Sequence, residues 1–78
     1  MPKLRLFAQA REAAGTGHAE VPGNTVADVL TAARERYGDE FAQVARGCKV
    51  WVNGVPADGS AMVTEQDEVA LLPPVSGG

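Results

Sequence analysis

The chain has 78 residues, ten acidic and seven basic side chains for a net charge of −3, and a single cysteine, Cys48. A domain this short buries only about 60–65% of the surface its unfolded chain exposes, which argues against a large enclosed active site. One cysteine excludes an internal disulfide and a multi-cysteine metal site and is compatible with a reducing compartment. Lys and Arg are too sparse to make nucleic acid the main partner, so a protein partner with a basic surface is the more natural expectation. No stretch approaches the roughly 20 apolar residues that span a bilayer. The expected protein is soluble and cytoplasmic.

Lys3-Leu4-Arg5-Leu6-Phe7-Ala8 alternates charged and apolar side chains, the period of a half-buried strand with Leu4 and Leu6 facing the core. The same alternation puts Phe7 on the outer face with Lys3 and Arg5. Gln9 to Ala14 reads as a short helical turn ended by Gly15, and His18-Ala19-Glu20-Val21 as a second strand that stops at Pro22. After the turn cluster Pro22-Gly23-Asn24, Thr25 is a helix N-cap with Asp28 three positions on. Val26, Val29, Leu30, Ala33 and Tyr37 then form one apolar stripe that Gly38 terminates. Asp39 to Gly47 reads as an irregular or helical connection that covers a core edge with Phe41, Val44 and Ala45.

Cys48 to Asn53 alternates again, with Val50 and Val52 inward and Trp51 outward beside Lys49, and Asn53-Gly54 predicts a tight turn. Met62-Val63 is expected to pair briefly as a short strand. Glu65-Gln66-Asp67-Glu68 is an acidic turn before a last strand in which Val69 and Leu71 point inward and Ala70 and Leu72 to the opposite face. A right-handed crossover through the helix puts the third strand in the same layer, beside the first pair. The predicted fold is α+β, a β-grasp roll with one main helix on one face of a mixed sheet. Residues 1–72 form the domain and residues 73–78 an extended tail.

The terminal run Val69-Ala70-Leu71-Leu72-Pro73-Pro74-Val75-Ser76-Gly77-Gly78 carries the clearest chemical signal. Two prolines let the chain leave a sheet in extended form, and two glycines allow a partner site to close around the backbone and reach a terminal carboxylate. A frayed terminus or a linker is the alternative, against which the apolar Leu-Leu-Pro-Pro-Val lead-in speaks. Elsewhere the chemistry is thin. His18 reads as a lone surface residue, Asp39-Glu40 and Asp67-Glu68 as solvated pairs, and Cys48 as a small strand hydrophobe. Gly54 and Gly59 lack the strand-to-helix context of a phosphate loop. Phe7, Leu72 and Trp51 fall on the face opposite the helix. Either loops fold back over them or they form a docking surface, and their proximity to the tail favours docking.

Leu6-Phe7-Ala8-Gln9-Ala10-Arg11-Glu12-Ala13-Ala14-Gly15, together with Asp67 to Gly78, resembles the small subunit of molybdopterin synthase, a ubiquitin-like sulfur carrier family. The likeness spans the whole chain in length and element order, and the terminal block is its specific part. The resemblance implies that the Gly78 carboxylate is adenylated by a ubiquitin-activating-type enzyme using ATP and converted to a thiocarboxylate with sulfur from a persulfide donor. It implies that the loaded tail, Pro73, Pro74, Val75, Ser76 and Gly77, inserts into the large subunit, where sulfur passes to cyclic pyranopterin monophosphate. By the same resemblance Phe7 and Leu72 lie at the partner surface, the assembly is a heterotetramer, and the small subunit alone is not an enzyme and holds no cofactor or metal. Leu71-Leu72 replaces aromatics common in relatives, and Ser76 stands where threonine is also common. A sulfur carrier for thiazole synthesis and a ubiquitin-like protein modifier are the alternatives.

Overall fold

The structure, a computed structural model, describes residues 1–74. In chain order it comprises β1 (Lys3–Leu6), α1 (Ala8–Ala14), β2 (His18–Glu20), α2 (Val26–Tyr37), α3 (Asp39–Arg46), β3 (Lys49–Val52), β4 (Val55–Pro56) and β5 (Glu68–Leu72). The strands form one mixed sheet in the order β2-β1-β5-β3-β4, in which only β1 and β5 run parallel. This is the expected β-grasp roll, with α2 as its longest helix and two shorter helices besides.

Binary patterning explains which face is covered. Leu4 and Leu6 of β1 pair with Val69 and Leu71 of β5, which pair in turn with Val52 and Val50 of β3. These residues make a continuous inner row, and the first four are buried. The helices close over it with Ala10 from α1, Val26, Val29 and Ala33 from α2, and Phe41 and Ala45 from α3. Leu30 and Tyr37 complete the predicted stripe at its partly exposed border, where the Tyr37 and Phe41 rings meet at 5.2 Å between centroids. The connection from Asp39 is therefore helical, because Phe41 and Ala45 recur at the four-residue spacing of one helix face.

Local signals set the element ends. Thr25 Oγ1 accepts the Asp28 N–H at 3.2 Å, and the Asp28 carboxylate reaches back to the Asn24 N–H, also at 3.2 Å. The reciprocal cap is thus shifted one residue outward from the standard box. Gly38, at φ 93°, donates to the Arg34 carbonyl to end α2, while its own carbonyl accepts from Ala42 to begin α3. Asn53 and Gly54 both have positive φ, 51° and 81°, which closes the two-residue β3–β4 hairpin.

Two sequence expectations need correction. The short strand is not Met62-Val63: Met62 makes only an isolated bridge to Thr25, and the strand that pairs with β3 is Val55–Pro56, directly after the Asn53-Gly54 turn. Hairpin geometry places the returning strand immediately after the turn, and the longer loop that follows leaves Val63 to fill the core. The third strand lies in the predicted layer but does not neighbour the first pair, because β5 inserts between β1 and β3. The inserted strand has the longest apolar run and is covered most completely, so the centre of the sheet suits it.

Candidate functional site

The sheet face opposite the helices follows from the same registers. Glu20, Lys3 and Glu68 lie across one row; His18, Arg5, Ala70, Trp51 and Pro56 across the next; and Leu72 and Lys49 across the third. Phe7 follows β1 one position beyond the Leu6–Leu71 pair, on the same side as Arg5, whose guanidinium carbon lies 5.4 Å from the centre of its ring. None of these residues is buried, and Phe7 is 37% exposed. Among the described residues no loop folds back over the face. Ala70 stands at its centre, between Arg5 and Trp51.

Parallel pairing of β1 and β5 brings Phe7 and Leu72 to one end of the sheet, where the chain passes into Pro73 and Pro74. Prolines have no N–H to continue a ladder, so the strand ends here. Pro73 is half-buried and Pro74 exposed. A concavity of about 410 Å³ bordered by Lys49, Trp51 and Leu72 flanks the two prolines on the sheet face. A second, of about 480 Å³, lies on the helical side, bordered by Glu12 and Ala13 of α1 and Glu40 and Val44 of α3. Pro73 and Pro74 thus form a ridge between the two concavities. Of the predicted site residues, Phe7, Leu72, Pro73 and Pro74 are brought together; Val75, Ser76, Gly77 and Gly78 lie outside the described residues.

Electrostatics add what net charge conceals. Carboxylates on this face, Glu20 and Glu68, are confined to the row farthest from the tail, whereas Arg5 and Lys49 stand beside the apolar patch. On this sheet face the end nearest Pro73 therefore carries basic rather than acidic side chains, although the chain as a whole is acidic. Period-two counting had placed Arg5 and Lys49 on the outer face, but their position relative to the tail needed the strand order. The contribution of Pro56 was not visible in the strand pattern.

The other candidates are structural. The Asp67 carboxylate accepts from Asn53 Nδ2 at 2.9 Å and from the Thr64 N–H at 2.7 Å, and these bonds hold its pKa below the ordinary carboxylate value. Asn53 Oδ1 accepts from the Glu68 N–H at 2.9 Å, so the pair ties the β3–β4 turn to the start of β5. Asp39 and Glu40 are exposed in the first turn of α3, where the helix dipole favours acidic groups. The Cys48 thiol donates to the Val44 carbonyl at 3.3 Å, and burial raises its pKa, which makes it a poor nucleophile. His18 is exposed on an edge strand. Among the described residues no group of three or more His, Cys, Asp or Glu could hold a metal ion, and no helix is long and apolar enough to cross a membrane.

Residues 4–78 match the ThiS family. The chain belongs to that family. Its structure is similar to the small archaeal modifier protein 1 of Methanosarcina acetivorans, with 33% identity, a TM-score of 0.78, and coverage of 97% of this chain and 94% of that one. It also resembles the putative molybdopterin converting factor subunit 1 of Pyrococcus furiosus, with 25% identity and a TM-score of 0.76 over 94% and 95% of the two chains. A complex of BexX and CysO from Amycolatopsis orientalis shares the fold at 22% identity and a TM-score of 0.84, covering both chains completely. No curated protein matches the chain by sequence. Family and fold together make this a small β-grasp protein of the sulfur-carrier and ubiquitin-like modifier group.

Proposed function

We propose that this chain is the sulfur-carrying subunit of a molybdopterin synthase, with the Gly78 carboxylate as the carrier group. The observation that carries the reading is the placement of Pro73-Pro74 at the end of the central strand, beside the uncovered Phe7–Leu72 patch. The domain binds through that patch while the tail enters a partner's site. A carboxylate is a poor electrophile, so activation must come first. One carboxylate oxygen attacks the α-phosphorus of ATP in the adenylating enzyme and pyrophosphate leaves. A persulfide sulfur then displaces AMP from the acyl adenylate, and a thiol reduces the resulting acyl disulfide to the thiocarboxylate. That sulfur is given to cyclic pyranopterin monophosphate in the large subunit, with which the chain forms a heterotetramer. The named likeness to a putative molybdopterin converting factor subunit supports this pathway over thiazole synthesis.

The test is to incubate the chain with ATP, its ubiquitin-activating-type enzyme and a persulfide donor, then read the mass of the C-terminal peptide. Replacement of one oxygen by sulfur at Gly78, and its loss on addition of the large subunit and the cyclic pterin, is expected. A thiocarboxylate that the large subunit leaves untouched would move the chain to another sulfur pathway. The 33% identity to a small archaeal modifier favours a second reading, attachment of Gly78 to lysines of other proteins. Isopeptide adducts ending in Gly78, without thiocarboxylate, would select it.

A further inference from the structure

Both edges of the sheet withhold the backbone groups through which further strands add. Gly17 accepts from the Leu6 N–H at 3.0 Å and Val21 donates to the Pro2 carbonyl at 3.1 Å, so the odd-numbered residues along β2 face β1. His18 and Glu20, at the alternate positions, therefore turn their N–H and C=O groups to the open edge. Thr16 Oγ1 accepts the His18 N–H at 3.3 Å and donates to the His18 carbonyl at 2.9 Å. Arg36, in the last turn of α2, donates to the Glu20 carbonyl at 3.0 Å. Among the described residues the Glu20 N–H is the one outward group of β2 without a partner. At the other edge Ala57 donates to the Val50 carbonyl at 3.0 Å, which leaves Pro56 facing outward with no N–H to offer.

An open strand edge is a template for pairing with another chain. We propose that Thr16 and Arg36 form a guard that keeps this chain monomeric, and that the strand they exclude is β2 of a second copy. The edge itself selects that occupant. Two antiparallel β2 strands related by a two-fold axis between their Ala19 residues put His18 opposite Glu20 of the second copy, and Glu20 opposite its His18. Each of these pairs exchanges both of its backbone bonds, and like charges do not meet across the join. Ala19, the smallest side chain of the strand, lies at the axis, so the inner face is not crowded there. Pro22 occupies the next outward position and lacks an N–H, which limits the ladder to the two pairs. So short a ladder competes closely with the three bonds already made within each copy, and two side chains therefore suffice to hold the edge closed.

The test is NMR translational diffusion of the full chain over a concentration series into the millimolar range. Thr16→Val combined with Arg36→Met removes the guarding groups and keeps their bulk, and should tighten self-association about tenfold or more over the parent. Adding Glu20→Pro removes the remaining edge donor and should restore the parent's behaviour. Thermal melts show which variants remain folded. Ala19→Cys in a Cys48→Ala background reads the register independently of the proline variant. Across the axis the Cα atoms would lie about 4.5 Å apart, within the disulfide range of about 4.4–6.8 Å. Oxidation should therefore give a covalent dimer readily without the guard and sparingly with it. A folded chain that lacks the guard yet associates no more than the parent would overturn the proposal. Association that survives Glu20→Pro, or oxidised dimer formed equally with and without the guard, would do the same by placing the contact elsewhere.

Discussion

Leu71 and Leu72 are adjacent in sequence and face opposite sides of the central strand, so truncating each should have separable consequences. Leu71 has no exposed surface and lies between Leu6 and Val50. Leu71→Ala therefore removes buried volume that strands on both sides hold open, at a cost of about 2–5 kcal/mol. A chain of this length has a total stability of about 4–12 kcal/mol at the usual value per residue. For domains of 60–100 residues each kcal/mol shifts the melting temperature by about 4–8 °C, so a cost of about 3 kcal/mol lowers it by about 12–24 °C. Leu72 is half-buried on the solvent side, and Leu72→Ala should cost about 1 kcal/mol or less, a fall of up to about 8 °C. Circular dichroism melts and urea titrations measure both. Binding to the adenylating enzyme should show the reverse order, with Leu72→Ala weakened and Leu71→Ala unchanged wherever it remains folded. Equal destabilisation by the two substitutions would refute the assignment of an uncovered outer face.

Other perturbations probe the supports of the fold. Thr25→Ala removes the acceptor for the Asp28 N–H and should cost about 1 kcal/mol in urea unfolding, while Thr25→Ser should cost little. Asp67 and Asp58 both have lowered folded-state pKa values, caused first by side-chain hydrogen bonds from Asn53 and Ser60 respectively. Their contribution is fully present above the unfolded carboxylate pKa of about 3.9 and is lost as pH falls through the lower folded values. Asp67→Ala should accordingly flatten the acid limb of the stability profile, and an unchanged limb would discount the Asn53 bond. Cys48 should react slowly with iodoacetamide near neutral pH and rapidly only after unfolding, as free-thiol titration in urea would reveal.

Much of the architecture was legible because its signals are local. Alternation in Lys3–Leu6 and Lys49–Val52, the Thr25 cap, the Val26–Tyr37 stripe and the Asn53-Gly54 turn each act over a few residues, and each appears in place. The neighbours of β5 were not legible, because strand order is decided by which apolar segment gains most from burial on both edges. Met62-Val63 reads as a strand for a related reason: two apolar residues look alike whether they enter a ladder or plug a core, and Val63 does the latter. For the site, period-two counting identified Phe7 and Leu72 on one face. It could not place Arg11 and Arg5 around one depression, since that depends on the turn from β1 into α1 and the return through Gly17.

The strand order that escaped the sequence also shapes the proposed site. Had β3 lain beside β1, β5 would have been an edge strand, and its prolines would have emerged from a position held by a ladder on one side only. With β5 central and parallel to β1, backbone pairing from Glu68 to Leu71 on one side and from Val69 to Leu72 on the other fixes the root of the tail. The Asn53–Asp67 bonds anchor the opposite end of the same strand. Phe7 comes to the tail root because β1 runs in the same direction, and Lys49 because β3 runs against it. A partner that grips the outer face therefore grips the two strands that hold the tail's root. Motion between the binding surface and Pro73 would require breaking sheet hydrogen bonds, so pulling on the tail should transmit force to the docking face with little slack. Placing one or two glycines between Leu72 and Pro73 breaks that coupling without touching the core. Such a chain should keep its melting temperature and its affinity for the adenylating enzyme while the rate of adenylation falls; an unaltered rate would show that the rigid root is incidental.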